Sequence, residues 1–194
     1  MQFVLASNNR KKLREMADIL ETLGHTVITM AEAGISAEPE ETGETFEENA
    51  LIKARAAAML CHAPCLADDS GLEVDALGGA PGVRSARYCE GSDLDRLQLL
   101  LRNMENVPDG QRTARFVSAV ACVFSDGGEL VVRGECEGVM LREMRGDGGF
   151  GYDPAFYIPE EGQTFSEMPA ARKCEISHRA RAMAKFCDEM KKRG

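Results

Sequence analysis

Residues 66–74 have the sequence LADDSGLEV, in which two adjacent carboxylates stand between two short apolar runs. Apolar runs of this length are typical of buried strands, and Ser-Gly is typical of a turn. The pattern predicts that Asp68 and Asp69 lie at the end of a strand, where α/β proteins gather their active sites. Paired carboxylates there suit Mg²⁺, which prefers oxygen ligands and often bridges a protein to phosphates. An Asp turn that caps a neighbouring helix accounts for the pair equally well.

Strand-like and helix-like segments alternate on both sides of this stretch. Residues 3–6 form an apolar run of strand length, and apolar side chains then recur at helical spacing as far as Leu23, before Gly24 supplies a stop signal. The same criteria predict the remaining elements, which are strands over residues 26–30, 113–124 and 129–137 and helices over residues 45–60, 92–104 and 177–192.

Local signals mark several of these boundaries. Thr45 with Glu48 forms a capping box, Ser92 with Asp95 marks a second helix start, and Asp126-Gly127 indicates a hairpin. Together the elements predict an α/β fold with a mixed β-sheet and flanking helices, in which the hairpin builds a second lobe. No repeat or linker divides residues 1–194, so we expect a single domain with two lobes.

The composition excludes several classes of protein. Hydrophobic residues make up 44% of the chain and charged residues 28%, which is ordinary for a globular protein. The net charge of −9 argues against a nucleic-acid or membrane-surface partner, because proteins that bind those surfaces are usually basic. The first residues lack a signal-peptide pattern and no apolar stretch is long enough to span a bilayer, so we expect a cytoplasmic protein.

The seven cysteines are scattered along the chain, and none forms a Cys-x-x-Cys motif. Their odd number fits a reducing compartment. Cys61 and His62, with Cys65, contain possible zinc ligands, but no second ligand pair follows at the spacing of a zinc site. We therefore expect the cysteines to be small buried hydrophobic residues.

A basic segment between the first strand and the first helix carries groups suited to phosphate. A helix N-terminus offers free N–H groups and a positive dipole end. The hydroxyl, amide and cationic side chains that would add further donors are Ser7, Asn8, Asn9, Arg10, Lys11 and Lys12. An ordinary helix cap with a solvated basic turn is the alternative interpretation.

Two other segments carry possible functional groups. The acidic run over residues 38–44 is typical of a solvated loop unless one of its carboxylates folds towards Asp69. Residues 148–154 place Phe150 among glycines, where an aromatic ring can stack on a flat base. Residues 173–179 include lysine, histidine and arginine, which can donate to carbonyl oxygens on a base edge. The structural alternative makes Phe150 a core anchor and the basic residues a cap and a surface pair.

These segments occur in one order along the chain: ASNNRKK (6–12), EETG (40–43), ADDSGL (67–72), GGAPG (78–82), GFGYDP (149–154) and SHRA (177–180). The ordered set resembles the inosine triphosphate pyrophosphatase family, also called XTP/dITP diphosphatases or noncanonical purine NTP pyrophosphatases. The resemblance covers essentially the whole chain, and FGYD and SHR are its most specific parts. Members often carry Thr-Gly-Asn where this chain has Ser7, Asn8 and Asn9.

The resemblance implies an ITPase-like fold with two lobes around a nucleotide cleft, usually as a homodimer. It implies Mg²⁺-dependent hydrolysis of ITP, dITP and XTP to the monophosphate and pyrophosphate, which cleanses the nucleotide pool. By carry-over, Asp69 is the catalytic residue, and Glu40 and Asp69 are the metal ligands. The implied substrate-binding residues are Ser7, Asn8, Asn9, Arg10, Lys11, Lys12, Ser70, Phe150, Gly151, Tyr152, Asp153, Lys173, His178 and Arg179.

Two other functions fit part of the pattern. A Maf-type pyrimidine nucleotide pyrophosphatase would turn over dTTP or UTP in preference to ITP. A catalytically inactive nucleotide-binding sensor is the non-enzymatic alternative, against which the acidic pair, Glu40 and Lys12 argue. An acid beside Mg²⁺ has a lowered pKa and is a weaker base. The sequence therefore leaves open whether Asp68 or Asp69 acts as the ligand or as the base.

Overall fold

The structure, a computed structural model, describes residues 1–22 and 24–193. The helices are α1 (Arg10–Thr22), α2 (Phe46–Ala58), α3 (Asp93–Asn103), α4 (Ala170–Ile176) and α5 (His178–Arg193). The strands are β1 (Gln2–Leu5), β2 (Thr26–Thr29), β3 (Cys65–Val74), β4 (Thr113–Val123), β5 (Glu129–Met140), β6 (Phe156–Ile158) and β7 (Gln163–Thr164). Leu23, which the helical spacing placed on α1, lies outside the described residues.

The strands form one mixed sheet with the order β2-β1-β3-β4-β5-β6-β7. Strand β1 pairs in parallel with both β2 and β3, whereas β6 pairs antiparallel with β5 and β7. The predicted α/β fold with a mixed sheet and flanking helices is confirmed. No helix in the described part of the chain has the length and apolar character needed to cross a membrane.

The chain divides into two compact units. Unit 1 comprises Met1–Asp69, Ser118–Gly134 and His178–Gly194, and unit 2 comprises Ser70–Val117 and Glu135–Ser177. In unit 1, apolar side chains of β1, β3 and β4 pack with those of α1 and α5. In unit 2, a separate core gathers Leu97 and Leu100 of α3 with Phe116, Phe156 and Phe165. Each unit therefore buries its own apolar surface.

The local boundary signals of the sequence are confirmed. The Thr45 side chain accepts from the backbone of Glu48, whose side chain accepts in return, and Ser92 with Asp95 forms a second capping box. Each box satisfies donors that a helix N-terminus otherwise leaves without partners. At the predicted hairpin, the Phe124 N–H donates to the Gly128 carbonyl at 2.9 Å, and β4 leads into β5.

The prediction that a strand ends at Asp68 and Asp69 and that a turn follows at Ser-Gly was wrong. Asp68 and Asp69 lie inside β3, which continues through the Ser-Gly dipeptide to Val74. Strand β3 is an interior strand of the sheet with β1 and β4 as neighbours, and such pairing overrides a local turn preference. Strand β1 ends at Leu5, which lies opposite Leu66. The acidic pair therefore follows immediately after the point where its parallel neighbour ends.

Candidate active site

The loop between β1 and α1 presents the predicted phosphate-binding residues. The Asn9 side-chain oxygen accepts from the backbone N–H groups of Lys11 and Lys12 at 3.0 and 3.2 Å, so Asn9 caps α1. Ser7 in turn accepts from the Asn9 N–H at 3.2 Å, and Asn8 donates to Glu38 at 3.0 Å. The predicted helix N-terminus is therefore present and carries exposed Lys11 next to half-buried Lys12.

Asp68 lies at the centre of a buried ion cluster in unit 1. Its side chain is completely buried, and its Oδ2 lies 3.0 Å from the Lys12 Nζ and 3.4 Å from the Arg179 Nη2. The Ser118 hydroxyl donates to the other carboxylate oxygen. Burial alone would raise the pKa of Asp68, but the charges of Arg179 and Lys12 and the Ser118 hydrogen bond hold it well below its ordinary value. These partners therefore favour the ionised form of Asp68, and both of its oxygens are engaged.

Arg179 is a buried counter-ion of this cluster. Its guanidinium is only 1% exposed and forms ion pairs with Glu15 and Asp68. Helix α5 begins one residue earlier, at His178, and packs directly on β5 at Gly134. A Cβ at Gly134 would overlap the His178 carbonyl and the Ala182 backbone nitrogen. This glycine therefore allows the close approach that places Arg179 beside Asp68.

Asp69 has one oxygen engaged and one available. Its Oδ1 accepts from the Lys53 Nζ at 2.9 Å, and the same ammonium lies 3.1 Å from the Glu41 Oε1. Its Oδ2 is buried and has no hydrogen-bond partner among residues 1–22 and 24–193. Burial raises the pKa of Asp69 above its ordinary value, although Lys53 and Lys12 oppose the rise. The two adjacent aspartates are thus chemically different.

The acidic loop reaches Asp69 through Glu41. The predicted ligand Glu40 is exposed on the same loop, whereas half-buried Glu41 pairs with the lysine that also holds Asp69. Among the described residues, no group of three histidine, cysteine, aspartate or glutamate side chains forms a complete metal site. Mg²⁺ is commonly held by one or two carboxylates together with substrate phosphates. The available oxygen of Asp69 and the nearby carboxylate of Glu41 fit that mode of binding.

The predicted base-binding segment of unit 2 is organised around Asp153. This buried carboxylate accepts from the Lys173 Nζ at 2.7 Å and from the Phe150 N–H at 2.8 Å. The Lys173 ammonium lies 5.0 Å from the centre of the half-buried Phe150 ring, within range of a cation–π interaction. Gly149, at a φ of 73°, has no room for a Cβ beside Asp153. Asp153 therefore fixes both the aromatic ring and the ammonium group.

The other predicted substrate-binding residues differ in their exposure. Tyr152 is buried, and its hydroxyl donates to the Ser85 carbonyl at 2.8 Å, so this ring anchors the loop within unit 2. Ser70 and Gly151 are half-buried, whereas His178 is buried in unit 1. A substrate contact of each of these residues stays a prediction.

Sequence reasoning did not assign Lys53, Ser118 or Glu15 to the site. Two of them carry a signal that was available in the sequence. Lys53 interrupts the apolar stripe of α2 that includes Ala50 and Ala54, and Ser118 is a polar residue inside the apolar run of β4. A polar side chain on an otherwise apolar face requires a buried partner. Glu15 carries no comparable signal.

Comparisons with known proteins agree on one family. The model of the Ham1 family matches residues 3–189. The dITP/XTP pyrophosphatase of Symbiobacterium thermophilum is 49% identical over 97% of this chain and 94% of that protein. That of Haemophilus ducreyi is also 49% identical, over 94% of each. The solved structure of a HAM1 protein from Coxiella burnetii matches with a TM-score of 0.88 and 41% identity over 99% of both chains. The Staphylococcus aureus Ham1 protein gives 0.89 and 36% over the full length of both.

Proposed function

Since the chain belongs to the Ham1 family and its relatives are named dITP/XTP pyrophosphatases, in agreement with the resemblance of its motifs, we propose that it hydrolyses the noncanonical purine nucleoside triphosphates dITP, ITP and XTP. Water is consumed, and the products are the nucleoside monophosphate and pyrophosphate. The relatives named dITP/XTP pyrophosphatase support this activity. The observation that carries it is the buried Asp69 oxygen without a partner among residues 1–22 and 24–193, in the same unit as the basic start of α1.

Residues of unit 1 bind the triphosphate, hold the metal and activate the water. Lys12 and the N-terminus of α1 bind the triphosphate, while Asp68 keeps the Lys12 side chain in place through their 3.0 Å contact. Asp69, with Glu40 or Glu41, holds Mg²⁺. When bound, Mg²⁺ offsets the charge that develops on the leaving pyrophosphate. The attacking water approaches the α-phosphorus, and Asp69 is the group that orients it or accepts its proton.

Base selection follows from donors that face the six-position of the purine. Hypoxanthine and xanthine carry a keto oxygen there, whereas adenine carries an amino group that leaves a donor without an acceptor. Such mismatches cost several powers of ten in catalytic efficiency. The sequence predicts Arg179, His178 and Lys173 as these donors and Phe150 as the stacking surface.

We expect Arg179→Lys to reduce the preference for ITP over ATP by roughly tenfold or more. Lysine keeps a positive charge beside Asp68 but lacks the planar donor fork of arginine. Phe150→Ala is expected to weaken the binding of all purine substrates by a similar amount, about 1–3 kcal/mol, because stacking does not depend on the identity of the base. The measurement is kcat/KM for ITP, XTP, GTP and ATP. Arg181→Lys, an exposed change on the same helix, is the matched control. If the ratio of kcat/KM for ITP to that for ATP is unaltered in Arg179→Lys, Arg179 acts only as a counter-ion of Asp68.

Lys12→Ala is expected to raise KM about 10–100-fold for every nucleotide, because hydrogen bonds to charged groups contribute about 1.5–3 kcal/mol. A phosphate contact carries no information about the base, so the ratio of ITP to ATP efficiency should not change. Arg14→Ala, an exposed position on α1, is the control. Loss of base preference at unchanged KM would contradict the phosphate assignment.

The remaining parts of the proposal concern setting and assembly. We place the enzyme in the cytoplasm as a homodimer that acts on free nucleotides and not on nucleic acid. The net charge of −9 disfavours a nucleic-acid substrate, since phosphate backbones attract basic surfaces.

A substrate panel with pyrophosphate detection tests the function directly. The purified protein is assayed with ITP, dITP, XTP, GTP, ATP, dTTP and UTP, with and without Mg²⁺. Release of pyrophosphate from the first three in preference to the rest, and only with Mg²⁺, is the expected result. Preference for dTTP or UTP would indicate the Maf-type activity instead. Binding of ITP without turnover would indicate an inactive sensor.

A further inference from the structure

Two cysteine thiols in unit 1 lie in contact outside the proposed active site. The Sγ atoms of Cys61 and Cys65 are 3.2 Å apart, and both cysteines are free. Cys65 begins β3 and is completely buried, whereas Cys61 lies in the preceding loop and is half-buried. A disulfide bond is about 2.05 Å long, so the two sulfurs need to approach by only about 1 Å. The proposed mechanism of nucleotide hydrolysis uses neither thiol.

A cavity provides access to one of the two thiols. It has a volume of about 420 Å³ and is lined by Cys61 and His62 but not by Cys65. Its wall also carries the Arg55–Glu129 ion pair, whose Nε and Oε1 atoms are 2.7 Å apart. A small reagent that enters this cavity reaches Cys61 first and meets both signs of charge. These properties suit a peptide disulfide that carries both ammonium and carboxylate groups.

We propose that Cys61 and Cys65 are a dithiol redox pair, which a low-molecular-weight disulfide oxidises to an intramolecular disulfide. In the first step the Cys61 thiolate attacks one sulfur of the reagent, breaks its S–S bond and releases one thiolate. In the second step Cys65 loses its proton to the released thiolate and attacks the Cys61 sulfur. The mixed S–S bond breaks, and the second small thiol leaves. Two electrons pass from the protein sulfurs to the reagent, which becomes two thiols.

The surroundings of the two sulfurs assign their order of reaction. Burial raises the pKa of Cys65 to about 12, with further contributions from its hydrogen bond with Cys61 and from the charges of Cys61 and Cys122. A thiol with so high a pKa is a poor first nucleophile. After Cys61 has entered the mixed disulfide, its thiol no longer hydrogen-bonds to Cys65, and the target sulfur already lies in contact. Proximity of this kind makes an intramolecular step efficient. Cys65 is therefore the resolving thiol.

The test exposes the reduced, full-length protein to oxidised glutathione, alkylates the remaining thiols and maps the peptides by mass spectrometry. The wild-type protein should lose two alkylatable thiols, yield a peptide joined through Cys61 and Cys65, and retain little glutathione at Cys61. Cys65→Ala should accumulate glutathione at Cys61, because the resolving thiol is missing. Cys61→Ala should give neither product at Cys65. Cys174→Ala, a change at a half-buried cysteine of unit 2, should leave the joined peptide unaltered.

The half-buried Cys89 serves as an internal check that the reagent is active. If Cys89 is modified while Cys61 and Cys65 of the wild-type protein both remain alkylatable, the proposal is overturned. It is also overturned if the wild-type protein retains as much glutathione at Cys61 as Cys65→Ala does. Circular dichroism of each variant establishes that it is folded. The joined peptide of the wild-type protein tests the proposal even if a variant fails to fold.

Discussion

Asp69→Asn is expected to lower turnover by about 10²–10⁴-fold, the usual effect of losing a catalytic acid or base. Asparagine keeps the shape of the side chain and can still contact Lys53 through its oxygen. It removes the negative charge that we propose binds Mg²⁺ and the basicity that we propose activates the water. Because Glu41 still pairs with Lys53 at 3.1 Å, the ammonium does not lose its only anionic partner. The measurement is kcat for ITP at saturating Mg²⁺.

The free energy of unfolding separates a chemical role from a structural one. Asp69→Asn should unfold at nearly the same urea concentration as the wild-type protein, since one oxygen of Asp69 is without a partner among residues 1–22 and 24–193. Asp188→Asn, which alters an exposed aspartate on α5 by the same chemical change, should leave both turnover and stability unaltered. Near-normal turnover of Asp69→Asn would contradict the catalytic role proposed for Asp69.

Asp68→Asn is expected to reduce the free energy of unfolding by about 3–5 kcal/mol, the cost of removing one partner of a buried ion pair. The change leaves the guanidinium of Arg179, which is 1% exposed, with Glu15 as its remaining carboxylate partner in this cluster. Urea unfolding measures the loss, and an unchanged slope shows that the surface exposed on unfolding is the same.

A double-mutant cycle assigns this loss to the pair. Asp68→Asn and Arg179→Met, made singly and together, should show a coupling free energy of at least about 1 kcal/mol, because residues in direct contact couple. Additive effects would mean that Asp68 is stabilised chiefly by Lys12 and Ser118. A loss below about 1 kcal/mol in Asp68→Asn itself would place this pair with exposed ion pairs and contradict the cluster described here.

The elements that the sequence predicted correctly depend on short-range chemistry. A capping box lies within four residues, as Thr45 with Glu48 shows, and Asp126-Gly127 contains its own turn signal. Helix boundaries therefore agree closely with the structure. The short strands β6 and β7 and helix α4 were not predicted, because segments of two to seven residues show too little periodicity to detect.

The errors and omissions come from contacts between distant parts of the chain. Ser-Gly favours a turn locally, but pairing within the sheet extends β3 through it. Glu41 lies near Asp69 because both carboxylates pair with Lys53. This lysine lies on α2, a different element from either carboxylate. Similarly, Arg179 reaches Asp68 only because Gly134 admits α5 at close range. Neither the spacing of residues along the sequence nor its composition predicts these contacts between distant residues.

The pleat of β3 places two identical side chains, those of Asp68 and Asp69, in different chemical environments. Successive residues of a strand point to opposite faces, so Asp68 has both oxygens engaged while its neighbour retains an available oxygen. A slip of β3 by one position against β1 would exchange the two carboxylates. The pairing of Val4 with Cys65 and of Leu5 with Leu66 therefore does more than join two strands. This register determines which face of the sheet each aspartate occupies, and therefore which partners it meets.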